Sequence, residues 1–270
     1  MTGYCVSDIA AITGGVLSGD GAALVTGVVI DSRAVTPGAL FAAIPGERVD
    51  GHDYIGKAFD LGASCCLAQR VPAGETRPVI CVPDTAAALE TLARAYRARF
   101  AIPVLGVTGS VGKTTAKEMV ASVLAQRWNT LKTEKNFNLI PSSVIEPISA
   151  MKTGYLGHHN PRLHSDEVLI ALAISGLTNP LAAMVQPTAM LFTIIGHAHL
   201  EFLRDRRGVL QEKTSVLDTM PDDAVAFCNG DDDLLRAMTC RQRKVTFGLS
   251  AGCDVRAVDV RDLGDEGSTC

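Results

Sequence analysis

The sequence predicts an α/β protein with a small mixed α/β N-terminal domain at 1–100 and a second domain at 101–270 that contains a mostly parallel sheet. Short strand patterns alternate with turns over the first hundred residues. From Pro103 onward, strand patterns alternate with helical ones, which implies a parallel sheet covered by helices on both faces. Aromatic residues make up only 5% of the chain, so small and aliphatic side chains fill the core, as buried parallel strands require.

The first domain is predicted from its turns and from one capped helix. The stretch ALVTGVVIDSRAVTPGALFAAIPG, residues 23–46, reads as a strand, a polar turn, a Pro-Gly turn and a second strand. Asp84 or Thr85 can cap a helix, because the apolar residues that follow share one helical face: Leu89, Leu92, Ala93 and Tyr96. The helix is expected to end near Phe100, which places the domain boundary there.

The second domain is predicted to begin with a buried strand at 103–107, followed by a glycine-rich turn and a helix. Further strands are expected at 168–173, 189–195 and 224–229, and helical patterns separate them. The stretch 139–167 shows little periodicity, so we predict no structure for it.

The glycine-rich turn, TGSVGKTT at 108–115, has the composition of a phosphate-binding loop. Glycines allow backbone N–H groups to close on an anion, and the N-terminus of the following helix adds positive partial charge. Lys113 would reach the outer phosphates of a nucleotide, and the Thr114 hydroxyl would hold Mg²⁺. The spacing is irregular, because the usual first glycine falls on Val107 and Gly106 is one residue early. The sequence therefore predicts a P-loop NTPase-like domain that binds ATP and Mg²⁺.

Composition and charge exclude several function classes. The formal net charge of −4 gives no field that attracts nucleic acid. The most apolar region, 168–200, is interrupted by polar residues and prolines, so it does not form a membrane span. The eight cysteines show no metal-ligand spacing and the N-terminus shows no signal peptide, so we expect reduced thiols in a cytoplasmic protein. We also expect no nucleic-acid partner, no membrane insertion and a monomer.

Three stretches resemble the Mur ligase family: DSRAVTPGALFAAIPGERVDGHDYI at 31–55, GVTGSVGKTTAKEM at 106–119 and LKTEKNFN at 131–138. The last stretch is similar to the branch of the family that joins D-alanyl-D-alanine to UDP-N-acetylmuramoyl-tripeptide (UDP-MurNAc-tripeptide). The resemblance implies that 1–100 binds the UDP-MurNAc-peptide and that 101–270 is the central ATP-binding domain. It also implies that the C-terminal ligase domain of the family, which closes over ATP, is absent from this chain.

The resemblance assigns roles to three groups of residues. The residues that match the family's ATP site are Gly109, Ser110, Val111, Gly112, Lys113, Thr114, Thr115 and Asn229. Those that match its substrate site are Ser32, Arg33, Gly46, Glu47, Arg48, Asp50, Gly51, His52, Thr133, Asn136 and Asn138. The catalytic residues are Lys113, Lys213 and His199, and the metal ligands are Thr114, His199 and Lys213. In the family the lysine that matches Lys213 is carbamylated, which turns a cation into an oxygen donor for Mg²⁺.

The sequence departs from the family pattern at three positions. Ala171 matches the glutamate that binds Mg²⁺ in the family, and an alanine offers no oxygen ligand. Leu139 and Ile194 stand where the family has asparagines.

Two functions are compatible with these residues. The first is an ATP-dependent amide ligase that adds D-alanyl-D-alanine to UDP-MurNAc-tripeptide in peptidoglycan synthesis, through an acyl phosphate. Such a reaction needs aligned reactants and neutralisation of the developing phosphoryl charge. The alternative is a truncated, catalytically impaired homologue that binds nucleotide and UDP-sugar without ligation. Folylpolyglutamate synthetase shares the P-loop domain but has no separate uridine-nucleotide domain, so it is disfavoured.

Overall fold

The computed structural model describes residues 3–46, 49–132, 168–173, 185–196, 204–262 and 268–269. These residues form two compact units, which divide between Ala101 and Ile102. No helix in the described ranges has the length and apolar composition that crossing a bilayer needs. The stretch 139–167 lies outside the described residues.

The described part of the first unit is a five-stranded sheet with three helices. The elements are α1 (Val6–Thr13), β1 (Val16–Ser18), β2 (Gly27–Val29), β3 (Ala39–Ala42), α2 (Ile55–Asp60), β4 (Cys65–Ala68), β5 (Val79–Cys81) and α3 (Thr85–Arg97). Two 3-10 helices lie at Ser32–Ala34 and Gly51–Tyr54. The strand order is β1-β5-β4-β3-β2, and all neighbours are parallel except β1 and β5. This mixed sheet confirms the predicted class.

The core of the first unit lies around the two inner strands β3 and β4. All residues of both strands are buried, and Ile55 and Phe59 of α2 pack into the same cluster. Asp84 caps α3, because its side chain accepts hydrogen bonds from two backbone N–H groups of the first turn. The predicted apolar face of α3 is buried, and the helix ends at Arg97 rather than near Phe100.

The described part of the second unit is built around a seven-stranded, fully parallel sheet. The elements are β6 (Val104–Thr108), α4 (Lys113–Leu124), β7 (Asn129–Lys132), β8 (Val168–Ala173), β9 (Ala189–Phe192), α5 (Arg206–Thr214), β10 (Val225–Asn229), α6 (Asp233–Ala237), β11 (Arg243–Gly248) and β12 (Val255–Arg256). The strand order is β12-β11-β10-β9-β6-β8-β7. Two short strands, β13 (Arg261–Asp262) and β14 (Ser268–Thr269), form a separate antiparallel pair.

Strand β6 is buried along its whole length and lies between β8 and β9. A Cβ at Gly106 would lie 2.2 Å from Sδ of Met190, a buried residue of β9. A side chain at position 106 would therefore force the Met190 side chain to shift. Gly106 lies within β6 rather than in the loop that follows. That loop opens at the carboxyl end of the sheet, where ligands bind in open α/β folds.

Candidate functional site

The loop between β6 and α4 has a backbone that only glycine adopts readily. Gly109 has a φ of +147° and Gly112 a φ of +86°. A Cβ at Gly109 would also lie 2.0 Å from Oγ1 of Thr193. Gly112 is the N-cap of α4, so the unpaired N–H groups of the first turn of that helix are presented next to the loop. The arrangement is that of a turn that binds an anion.

Thr193, directly after β9, holds both ends of this loop. Its N–H donates to the carbonyl of Thr108 over 2.9 Å. Its hydroxyl donates to the carbonyl of Val111 over 2.6 Å and lies 3.3 Å from the carbonyl of Thr108. One side chain therefore fixes the width of the loop.

Two further bonds join the loop to the residues after Thr193. The N–H of Ser110 donates to the carbonyl of Ile194 over 2.7 Å. In return, the N–H of Gly196 donates to the Ser110 hydroxyl over 2.9 Å. The Ile194 bond uses only the backbone, so it does not depend on which side chain stands at this position.

Lys113, the first residue of α4, folds back over the loop. Its Nζ donates to the carbonyl of Gly109 over 2.7 Å and lies 3.4 Å from the carbonyl of Ser110. Burial lowers the pKa of the Lys113 ammonium, and the positive charge of Lys213 lowers it further. The side chain predicted to meet the outer phosphates is thus already placed at the loop.

Lys213 is buried in the last turn of α5, where a lysine on an amphipathic helix would ordinarily face solvent. Its Nζ lies 3.3 Å from Oε2 of Glu212, and the charge of Glu212 acts on Lys113 in the opposite sense to that of Lys213. The structure therefore brings together two lysines predicted as catalytic. It adds a carboxylate, Glu212, which sequence reasoning missed because no motif contains it.

The described residues offer few ligands for a metal ion. Among them there is no group of three or more His, Cys, Asp and Glu side chains that could hold one. Of the predicted metal ligands, Thr114 lies on the exposed side of the first turn of α4, and His199 lies outside the described residues. Ala171 pairs with Leu105 and Lys132 within β8, two residues before the strand ends at Ala173.

Asn229, the predicted adenine contact, is the last residue of β10. Its Oδ1 accepts a hydrogen bond from the N–H of Asp231 over 3.0 Å, which fixes the side-chain amide against the turn. The carboxylate of Asp231 in turn accepts from the N–H groups of Leu249 and Ser250. The turn after β10 is therefore tied to the end of β11.

In the first unit, the predicted turn at 31–33 forms the start of a 3-10 helix. Arg33 donates to Asp31 through Nε over 3.0 Å and through Nη2 over 2.7 Å. These bonds lower the pKa of Asp31 to about 2. The bonds to Asp31 fix the direction of the guanidinium, and the Arg33 side chain is 82% exposed, so it is open to a ligand. Ser32, next to it, is buried.

His52 is buried, and both of its ring nitrogens are bonded within the unit. Nε2 accepts from the N–H of Gln69 over 2.9 Å, so Nδ1 carries the proton and donates to Asp50 over 2.6 Å. The N–H and ring of His52, together with Arg70, hold the pKa of Asp50 well below its usual range. A contact between these ring nitrogens and a substrate would require one of the two bonds to break.

Glycines complete the loop that Asp50 and His52 support. The N–H of Gly46 donates to the carbonyl of Val49, and the N–H of Gly51 donates to the carbonyl of Ile44. A Cβ at Gly51 would lie within 3.0 Å of the backbone of Ile44. The other predicted substrate residues lie outside the described residues: Glu47, Arg48, Thr133, Asn136 and Asn138.

Most of this chain matches known protein families and known proteins. Residues 107–269 match the Mur ligase middle domain, and residues 24–97 match the Mur ligase family catalytic domain. The UDP-N-acetylmuramoyl-tripeptide–D-alanyl-D-alanine ligase of Synechocystis sp. is 34% identical over 244 residues, which cover 88% of this chain and 52% of that protein.

Two solved structures have the same fold. MurF from Acinetobacter baumannii matches 98% of this chain and 59% of its own, with a TM-score of 0.81 at 24% identity. MurF ligase from Thermotoga maritima in complex with ADP matches 87% of this chain and 52% of its own, with a TM-score of 0.69 at 28% identity. This chain spans about half the length of the curated relatives it matches. Because the middle-domain model alone matches more than half of the residues, the chain belongs to the Mur ligase family.

Proposed function

We propose that this chain carries the UDP-sugar-binding and ATP-binding units of a ligase that adds D-alanyl-D-alanine to UDP-MurNAc-tripeptide in peptidoglycan synthesis. The observation that carries the proposal is the glycine loop at the carboxyl end of β6, with Lys113 folded over it and Lys213 buried beside it. The name of the Synechocystis relative supports the choice of substrates, and the ADP complex of the Thermotoga enzyme supports the choice of nucleotide.

The proposed reaction runs through an acyl phosphate. A carboxylate oxygen of the tripeptide attacks the γ-phosphorus of ATP and displaces ADP. The amine of D-alanyl-D-alanine then attacks the acyl carbon, displaces phosphate and loses a proton. The N–H groups of the loop and the Lys113 ammonium neutralise the charge that develops on the phosphoryl oxygens.

Mg²⁺ is the cofactor that this reaction implies, and when bound it would neutralise phosphate charge. Mg²⁺ usually keeps few protein ligands beside nucleotide phosphates, so the Thr114 hydroxyl in the first turn of α4 fits such an ion. Lys213 fits as a second ligand only if carbamylated. The modification would also replace the repulsion between Lys213 and Lys113 by an attraction, since a carbamate is negatively charged. His199 would be a further ligand and catalytic residue.

The first unit is proposed to bind the uridine nucleotide of the precursor. Arg33, held by Asp31 and exposed, would contact the UDP-sugar together with the Ser32 turn. The loop around Gly46, supported by the Asp50–His52 pair, would form the second contact. Each contact rests on a backbone fixed before the ligand arrives, which lowers the entropic cost of binding.

The alternative function is a protein that binds nucleotide and UDP-sugar without ligation. Ala171 favours it, because alanine cannot supply the metal-binding carboxylate that the family has at this position. Under both proposed functions the protein acts in the cytoplasm as a monomer, binds no nucleic acid and does not insert into a membrane. Cys65 and Cys228 are buried and form no disulfide, which agrees with a reducing compartment. Burial raises the pKa of each thiol to about 12.

The proposal is tested on the whole 270-residue chain with UDP-MurNAc-tripeptide, ATP and D-alanyl-D-alanine. Saturation-transfer NMR should show contact from the uridine protons, and Arg33→Gln should weaken it while Lys113→Ala leaves it unchanged. Phosphate release that depends on D-alanyl-D-alanine would support ligation, whereas binding without such release would support the alternative. Absence of uridine contact in the folded chain would contradict both.

A further inference from the structure

We propose that Asp232 is a positioning residue for the phosphate loop. It holds the segment 193–196, which in turn supplies the partners of the loop at 108–111. The inference rests on the proposed nucleotide-binding function of that loop. Asp232 belongs to a different element from the loop, the turn that joins β10 to α6.

The two carboxylate oxygens of Asp232 have separate tasks. Oδ1 accepts the N–H groups of Leu234 and Leu235, both over 3.0 Å, and so caps α6. Oδ2 accepts the N–H of Ile195 over 2.9 Å, in a bond between distant parts of the chain. The Asp232 side chain is only 4% exposed, so each of these N–H groups depends on it rather than on water.

Arg206, at the start of α5, clamps the same segment from the other side. Its Nε donates to the carbonyl of Ile195 over 2.9 Å, and its Nη2 lies 3.5 Å from Oδ2 of Asp232. The N–H and the carbonyl of Ile195 are thus both held by charged side chains. Bonds to charged groups are the stronger class of hydrogen bond, which makes Ile195 the anchored point of the segment.

The anchored segment reaches the loop within two residues on either side of Ile195. Thr193 and Ile194 bond to three backbone groups of the loop, and Gly196 bonds to the Ser110 hydroxyl. Loss of the Asp232 bond would leave the Ile195 N–H buried without an acceptor, at a cost that repacking of the segment can relieve. Repacking moves Thr193 and Ile194, and the loop loses the geometry in which its N–H groups meet phosphate.

Asp232→Asn separates this role from helix capping. Asparagine is a preferred N-cap, so its side-chain oxygen can keep the cap of α6. Its NH₂ group then faces the Ile195 N–H, donor against donor. Asp233→Asn is the matched control, because Asp233 pairs with the same Arg206 over 2.6 Å but is exposed and does not touch the segment. Asp232→Ser is the second variant. Serine can also cap α6, but its side chain is too short to reach the Ile195 N–H.

The experiment measures amide exchange without nucleotide and ATP affinity by calorimetry, on the whole chain. We expect about tenfold faster exchange of the Ser110 and Ile195 amides in Asp232→Asn and Asp232→Ser, and about tenfold weaker ATP binding. Asp233→Asn should match the wild type in both.

Exchange and ATP affinity equal to those of the wild type in both Asp232 variants would overturn the proposal. A lower melting temperature of these variants, with exchange and ATP affinity unchanged, would mean that Asp232 has a purely structural role, and the proposal would also be wrong. If the wild type binds no ATP, the proposed function fails, and the nucleotide-free exchange of Ser110 still decides the positioning role.

Discussion

The charge of Lys213 lowers the pKa of Lys113, although the two lysines come from the ends of different helices. Lys113 begins α4 at the glycine loop, and Lys213 lies buried in the last turn of α5. One half-buried and one buried lysine beside the glycine loop form a local positive field on a chain whose net charge is −4. The proposed nucleotide site therefore owes its positive charge to these two lysines rather than to the net charge of the protein.

Replacement of Lys213 by methionine should raise the pKa of Lys113. Burial would still lower that pKa, but the repulsion from the second ammonium would be gone. Only the ammonium form of Lys113 pairs with phosphate, so ATP affinity should fall as pH rises through its pKa, and Lys213→Met should move that fall to higher pH. NMR titration of the lysine side chains in CO₂-free buffer measures the shift. Gln211→Met, an exposed change on the same helix, is the control. An unchanged Lys113 pKa would contradict this coupling.

Asp31→Asn should remove part of the stability of the first unit at neutral pH. Arg33 lowers the folded-state pKa of Asp31 to about 2. The contribution of Asp31 to stability is therefore fully present above its unfolded-state pKa and is lost as pH falls through its folded-state pKa. The difference in unfolding free energy between wild type and Asp31→Asn should thus be largest near neutral pH and shrink between about pH 4 and pH 2. Urea unfolding at several pH values measures it, with the exposed Asp53→Asn as control. A difference that does not depend on pH would refute the role of the Arg33 pair.

His52→Ala should destabilise the first unit rather than act only on substrate binding. It leaves the part-buried Gln69 N–H without its acceptor, which typically costs about 1–3 kcal/mol, while Asp50 keeps Arg70 and the backbone N–H of residue 52. Urea unfolding measures this loss. The contrasting variant Arg33→Gln should lose only the stability that the exposed Asp31 pair contributes, and its main effect should be weaker UDP-MurNAc-tripeptide binding. If His52→Ala kept full stability and lost binding, His52 would instead contact the substrate.

Gly106→Ala should destabilise the second unit through overpacking. The new Cβ would lie 2.2 Å from Sδ of buried Met190, and such clashes cost roughly 1–3 kcal/mol. Met190→Ala should relieve the clash, so the double variant should be more stable than the sum of the two single losses predicts. A double-mutant cycle of urea unfolding measures this coupling. Additive losses would mean that Gly106 is needed for another reason.

Sequence reasoning predicted the parts of the site that lie in one continuous stretch. The strand, the glycine loop and Lys113 form a contiguous motif, and the structure has all three in the predicted order. The Asp84 cap and the buried face of α3 follow from local spacing in the same way. Local patterns are sufficient where the interacting groups are neighbours in the chain.

The supports of the loop could not be predicted, because their partners are distant in sequence. The side chains of Thr193 and Asp232 bond to backbone groups, and backbone groups leave no pattern of residue types in a sequence. The burial of Lys213 depends on what packs against α5, and a lysine in an amphipathic pattern would ordinarily face water. In the sequence, Gly106 resembles a loop glycine that is one residue early. The side chain that occupies the space beside it, Met190, lies on a neighbouring strand and cannot be predicted from the sequence around Gly106.

The central claim is that the loop at 109–112 and Lys113 bind the phosphates of ATP, and calorimetric titration of the whole chain with Mg-ATP tests it most directly. We expect measurable binding by the wild type and a loss of about 2–4 kcal/mol in Lys113→Ala, the range for removal of one partner of a charge-assisted contact. Lys57→Ala, which removes an exposed lysine from the first unit, should leave the affinity unchanged. Equal ATP affinity in wild type and Lys113→Ala, or no binding by the folded wild type, would contradict the account.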